Sequence, residues 1–163
     1  MKNQPIFGRP FYHLTEIVTP KKELSEDEKN RLYELKELYQ QISESDNAEA
    51  EYRIAMAYYH GGVVDQDYGN AVMFLENSSK KGFPDAQNML GMMYFNGLGV
   101  EQDYHKSLMW LKEAANQGHE ESQFKVGIFY FNGFGVEKDL NEAAMWFKAA
   151  NNSREEMLRQ HQD

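Results

Sequence analysis

Residues 94–103 read YFNGLGVEQD, and residues 130–139 read YFNGFGVEKD. The motif returns after 36 residues, and other positions keep the same step. Gly61, Gly97 and Gly133 fall in register, as do Tyr58, Tyr94 and Tyr130, then Asp67, Asp103 and Asp139. Ala50, Ala86 and Ser122 form a further set, and Met109-Trp110 returns as Met145-Trp146. A fixed period between about 20 and 50 residues is the signature of a solenoid, in which each unit buries its apolar face only against its neighbours.

Inside each copy the pattern is helical twice. In copy two, Ala86, Leu90, Met93 and Tyr94 recur at i, i+4, i+7 and i+8, which predicts a helix over 84–96. Pro84 suits a first helical turn, where no N–H is needed, and Gly97 suits the stop. Asp103 then caps a second helix from Tyr104 to about Gln117, with Leu108, Leu111 and Ala115 as its apolar stripe and Gly118 as a left-handed stop.

Outside the repeats, Ser25-Glu26-Asp27-Glu28 fits a capping box, followed by Leu32, Leu35, Tyr39 and Ile42 on one face. Residues 25–46 therefore read as a helix covering the N-terminal end. Residues 1–24, with Pro5, Pro10 and Pro20, read as an extended arm. At the other end Ser153-Arg154-Glu155-Glu156 is a second candidate capping box, so 154–163 reads as a short polar C-terminal cap. The expected fold is all-α: an α/α superhelical solenoid of three helix-turn-helix repeats over 47–153 (48–83, 84–119 and 120–155 by register) between two capping helices.

Composition narrows the function. The chain has 163 residues, 41% of them hydrophobic and 13% aromatic, so it has the apolar content to bury a core. No apolar stretch approaches about 18 residues, which excludes a spanning helix from the expectations. The start, MKNQPIFGRPFYHLTEIV, lacks a charged stretch leading into an apolar run, so no secretory signal is expected. With no cysteine there is no disulfide framework or thiolate metal site, and a cytoplasmic location is expected. A net charge of -9 argues against nucleic acid and suits solubility or a basic protein partner.

The residues of 84–119 resemble the Sel-one-like repeat family, a relative of the tetratricopeptide repeat. Ala86, Leu90, Gly91, Tyr94, Gly97, Gly99, Val100, Asp103, Trp110, Ala114, Ala115 and Gly118 match its pattern. Copy three departs only at its end. Copy one is degraded: HGGVVDQD replaces NGLGVEQD, Phe74 stands for the Trp, and Ser78-Ser79 for Ala-Ala. The resemblance implies an α/α superhelix acting as an adaptor, regulator or partner-binding protein. Some bacterial relatives carry a cysteine pair in each repeat and are exported; this chain has none.

The chemistry-bearing residues do not assemble into a catalytic motif. Glu101 and Asp103, like Glu137 and Asp139, put carboxylates where an anion would sit in the glycine loops, and no Lys-Ser/Thr follows. His13, His60, His105, His119 and His161 lack metal-ligand spacing and read as exposed side chains. Neither metal nor cofactor is expected, and no enzymatic activity. Trp110 and Trp146, being periodic, read as core.

A second stripe on the first helix of each copy remains: Tyr52, Met56 and Tyr59; Asn88, Met92 and Phe95; Phe124, Ile128 and Phe131. Each triple has the spacing i, i+4, i+7 and so shares one helical face. By analogy with tetratricopeptide arrays that face lines a concave groove, with Glu49, Asp85 and Glu121 as an acidic rim. Aromatic and Met side chains there suit a partner's apolar segment. The alternative occupant is the chain's own arm, whose Ile6, Phe7, Phe11, Tyr12, Leu14, Ile17 and Val18 supply apolar bulk. The expectation is a non-catalytic protein-binding module, as a monomer or homodimer. An immunity or antitoxin-like inhibitor of a basic toxin domain is its most concrete form; an adaptor in bacterial signalling or a homo-oligomeric structural protein is the alternative.

Overall fold

The computed structural model describes residues 25–44, 47–62 and 64–160. The expected arm at 1–24 lies outside the described residues, as do His13 and His161. Among the described residues all regular structure is helical. Helix α1 spans Glu26–Glu44, and three hairpins follow. They are α2 (Ala48–His60) with α3 (Tyr68–Lys80), α4 (Pro84–Asn96) with α5 (Tyr104–Asn116), and α6 (Glu120–Asn132) with α7 (Leu140–Gln160). Each helix packs on the next in sequence, α1 on α2 and onward to α7.

The helix boundaries follow from side-chain chemistry. Asp67, Asp103 and Asp139 accept hydrogen bonds from the backbone N–H groups of Asn70, Lys106 and Glu142, at 2.9, 3.0 and 3.0 Å. The same three aspartates donate their own N–H to the carbonyls of Tyr58, Tyr94 and Tyr130. That bond closes each hairpin loop identically, even in degraded copy one. Gly99 must be glycine on two counts. Its φ is +71°, and a Cβ would stand 2.3 Å from the carbonyl oxygen of Tyr68. The loop of copy two thus rests directly on the first turn of α3.

The core falls into two clusters. Leu35 and Leu38 of α1, Ile54 and Tyr58 of α2, Leu75 of α3, and Leu90 and Met93 of α4 form one buried cluster. Leu108 and Leu111 of α5 with Val126 and Phe129 of α6 form a second. Trp110 and Trp146 correct an expectation: they are half-buried at the margins of these clusters rather than inside them.

The C-terminal end also differs from the sequence reading. No break precedes 154; α7 runs on without interruption through Gln160. Arg154 occupies the register of Gly82 and Gly118, whose φ values of +86° and +85° end α3 and α5. Without a residue suited to that conformation the helix continues, so the covering segment is the extension of α7 and not a separate helix.

Candidate functional site

Side chains from the first turns of α6 gather around one second-stripe residue of α4. Asn88 of α4 is buried. Its amide nitrogen donates to Glu121 at 3.3 Å, and its oxygen accepts from the Ser122 hydroxyl and the Lys125 ammonium, both at 3.1 Å. Lys125 also pairs with Glu121. This pairing holds the Glu121 carboxyl below the usual carboxylate range. Asp85 accepts from His119 Nε2 at 3.2 Å. Burial first, and then the charges of Asp85 and Glu121, push the Tyr52 phenol up. The acidic rim of copies two and three therefore acts on an aromatic ring of copy one. Glu49 is exposed.

Toward the far ends of the same helices the stripe is apolar, and its exposure changes along the stack. Tyr52 packs on Phe83 and Tyr59 on Tyr68, and both are half-buried. Met56 and Met92 are half-buried too. Phe95 is enclosed by Tyr104, Phe129 and Phe134, with ring centroids 5.3 to 5.5 Å away. In copy three the stripe opens to solvent: Phe124 is 52% exposed and Phe131 50%, with Ile128 half-buried between them. Phe124 leans on Phe147 of α7, and the Lys138 ammonium lies 5.3 Å from the Phe131 ring centroid. The structure thus brings together an acidic, hydrogen-bonded mouth and an apolar strip, with Asn88 and Phe95 serving as internal supports of the face.

Against this geometry stand the comparisons with known proteins. The model of the Sel1 repeat matches residues 48–83, 84–119 and 120–153. The chain belongs to the Sel1 repeat family. Among solved structures it is similar to a protective antigen of uropathogenic Escherichia coli strains displaying an SLR fold. That match has 33% identity and a TM-score of 0.69, and covers 72% of this chain but 25% of the antigen. It is similar also to a Sel1 repeat protein of Oxalobacter formigenes, at 30% identity and a TM-score of 0.67 over 72% of this chain and 89% of that one. Cysteine-rich protein B of Helicobacter pylori, 19% identical with a TM-score of 0.58 over 73% of this chain and 90% of its own, shares the fold. No curated protein matches. Sel1 repeat proteins are generally protein–protein interaction modules and non-catalytic scaffolds.

Within this Sel1 repeat chain, Asp85, His119 and Ser122 stand in a line that resembles a charge-relay triad, with the ring Nδ1 2.9 Å from the Ser122 hydroxyl. Its logic is structural. Ser122 is fully buried, its hydroxyl donates to Asn88, and its backbone N–H donates to His119 Nδ1 as the N-cap of α6. His119 is therefore a half-buried capping residue and not the free surface histidine the spacing suggested. Sequence reasoning also missed Lys125. Its register mates are Arg53 and Met89, and Asn88 and Glu121 together give the ammonium its place. Among the described residues no cluster of His, Asp and Glu is placed to hold a metal ion, and no helix is long and apolar enough to cross a membrane.

Proposed function

We propose that this chain is a non-catalytic binding module that takes a protein segment along its inner face, apolar side chains against Phe124, Ile128 and Phe131, cations toward Glu49, Asp85 and Glu121. The observation that carries this reading is the half-exposure of two phenylalanines on one helical face of α6, beside an acidic mouth. Monomeric proteins leave few such aromatic faces open without a use. A net charge of -9 favours a basic partner through faster, electrostatically guided encounter. Stoichiometric neutralisation of a basic toxin domain, in the manner of an immunity protein, is the finer form of the proposal. A regulatory adaptor or self-association uses the same face.

The test is affinity purification of the full chain from its native lysate, with the retained proteins identified by mass spectrometry. The Phe124→Asp/Phe131→Asp variant is compared with Met109→Asp, which alters an exposed side chain on α5 instead. One stoichiometric partner retained by wild type and Met109→Asp, and lost with the phenylalanines while helical circular dichroism persists, is the expected result. A partner retained equally by all three would remove the inner face from the mechanism. A wild-type dimer on sizing that the double variant abolishes, with no other protein retained, would replace the foreign partner by a second copy.

A further inference from the structure

A groove of about 240 Å³ opens between the first half of α1 and the second half of α2. Leu35, Met56, Ala57 and Val64 form its apolar floor, and the Arg53–Glu34 ion pair stands at its mouth. It lies at the opposite end of the stack from the exposed phenylalanines of α6.

We infer that this groove is occupied by the chain's own residues 1–24. Where those residues join the described chain is the first argument. Ser25 caps α1, with Glu28 N–H donating to its hydroxyl and its own N–H donating to the Glu28 carboxylate at 2.8 Å. The preceding segment is thereby delivered at the first turn of the helix that forms one wall. Six residues of helix, about 9 Å, separate that point from Arg31 at the groove. Twenty-four residues reach up to about 80 Å when extended, so length imposes no limit.

Composition is the second argument. Ile6, Phe7, Phe11, Tyr12, Leu14, Ile17 and Val18 are too many apolar side chains to leave in water without cost. Pro5, Pro10 and Pro20 disfavour a helix and favour an extended strand able to lie along a groove.

Charge is the third argument, and it acts through the body as a whole, because the groove itself is lined by Arg31, Arg53 and His60 against Glu34. Residues 1–24 hold Lys2, Arg9, Lys21 and Lys22 against Glu16 and Glu23, a net +2. With the whole chain at -9, the remainder carries -11. The body as a whole attracts the segment, and at the groove the segment's Glu16 and Glu23 are the groups that suit Arg31 and Arg53. This occupancy requires no foreign partner and leaves the face of Phe124 and Phe131 open.

The test uses the full chain with the photo-crosslinking residue benzoylphenylalanine at position 11. Crosslinks within one molecule to peptides containing Leu35 or Met56, independent of protein concentration, are expected. Crosslinks scattered over the whole body, or dimeric products that grow with concentration, would overturn the inference. Chymotryptic cleavage after Phe11 and Tyr12 supplies a second readout. The Met56→Asp variant is expected to speed it at least about tenfold with its circular dichroism unchanged. If that variant does not fold, wild type is read instead. Raising the salt from about 0.05 to 0.5 M, which shortens the screening length to a few ångströms, should then speed cleavage severalfold. Cleavage indifferent to both changes means the segment is not held there.

Discussion

Glu51, Gln87 and Gln123 occupy the same place in successive copies, and all three are buried. Each is reached by the residue thirty positions later, at the end of its own hairpin: Lys81 at 2.8 Å, Gln117 at 2.7 Å and Ser153 at 2.9 Å. The glutamines also donate to carbonyls of the preceding repeat, Ser79 and Ala115, at 3.1 and 3.2 Å. A carboxylate cannot donate in that way, so copy one has an ion pair where copies two and three have amides. A buried carboxylate deprived of its cation costs several kcal/mol, less where water can enter. Lys81→Ala is accordingly expected to destabilise the chain by about 2 kcal/mol, lowering the melting midpoint by roughly 5 °C. The double variant Glu51→Gln/Lys81→Gln copies the pair of copy two and should recover most of that loss. Thermal melts of the two variants decide it. A Lys81→Ala chain that melts like wild type would mean that the pair is already solvated.

Individual helices were readable because their ends are written in side chains. Pro84, the three capping aspartates and Gly97 each place a boundary where a backbone donor or acceptor lacks a helical partner, and α4 begins and ends where those residues predict. The end of α7 was not readable in the same way. Ser153 and Glu156 look like a capping box, but such boxes compete with continuation of the helix already in progress. Here the Ser153 hydroxyl donates to Gln123 across the hairpin. The decisive signal was a missing one, Arg154 in the register of Gly82 and Gly118. Arg154→Gly should therefore restore a stop. Helical chemical shifts and amide protection are expected to vanish over 155–160 while those before 153 persist. Helical shifts beyond 154 in that variant would show that packing, and not the absent glycine, extends α7.

Across the whole molecule, periodicity shows which face a residue lies on but not how deeply its neighbours bury it. Tyr52, Asn88 and Phe124 share one register position, yet they are half-buried, buried and exposed in turn. Asn88 is covered because copy three supplies Ser122 and Lys125, whereas Phe124 meets only the edge of its own hairpin, through Phe147. The shared helical face was thus legible, while the division of its residues into buried and exposed depends on what packs over each copy. The same stacking leaves a chain-wide mark in alkali. Tyr39 of α1 and Tyr58 of α2 share a hydroxyl–hydroxyl contact of 3.0 Å. Burial pushes both phenols above the ordinary value of 10.0, and the contact raises Tyr39 further. Tyr94 and Tyr52 shift the same way, chiefly through burial. With a raised folded-state pKa, the native chain holds these protons more tightly than the unfolded chain does. Stability is then flat below the ordinary phenol value and falls as pH rises through and above it. The melting midpoint should drop between about pH 9.5 and 11. Tyr39→Phe, which removes the most strongly shifted phenol, should flatten that drop, whereas Tyr33→Phe, at a side chain 71% exposed, should leave it unchanged. Identical slopes in all three chains would show that the seam between α1 and α2 is not where alkali opens the stack.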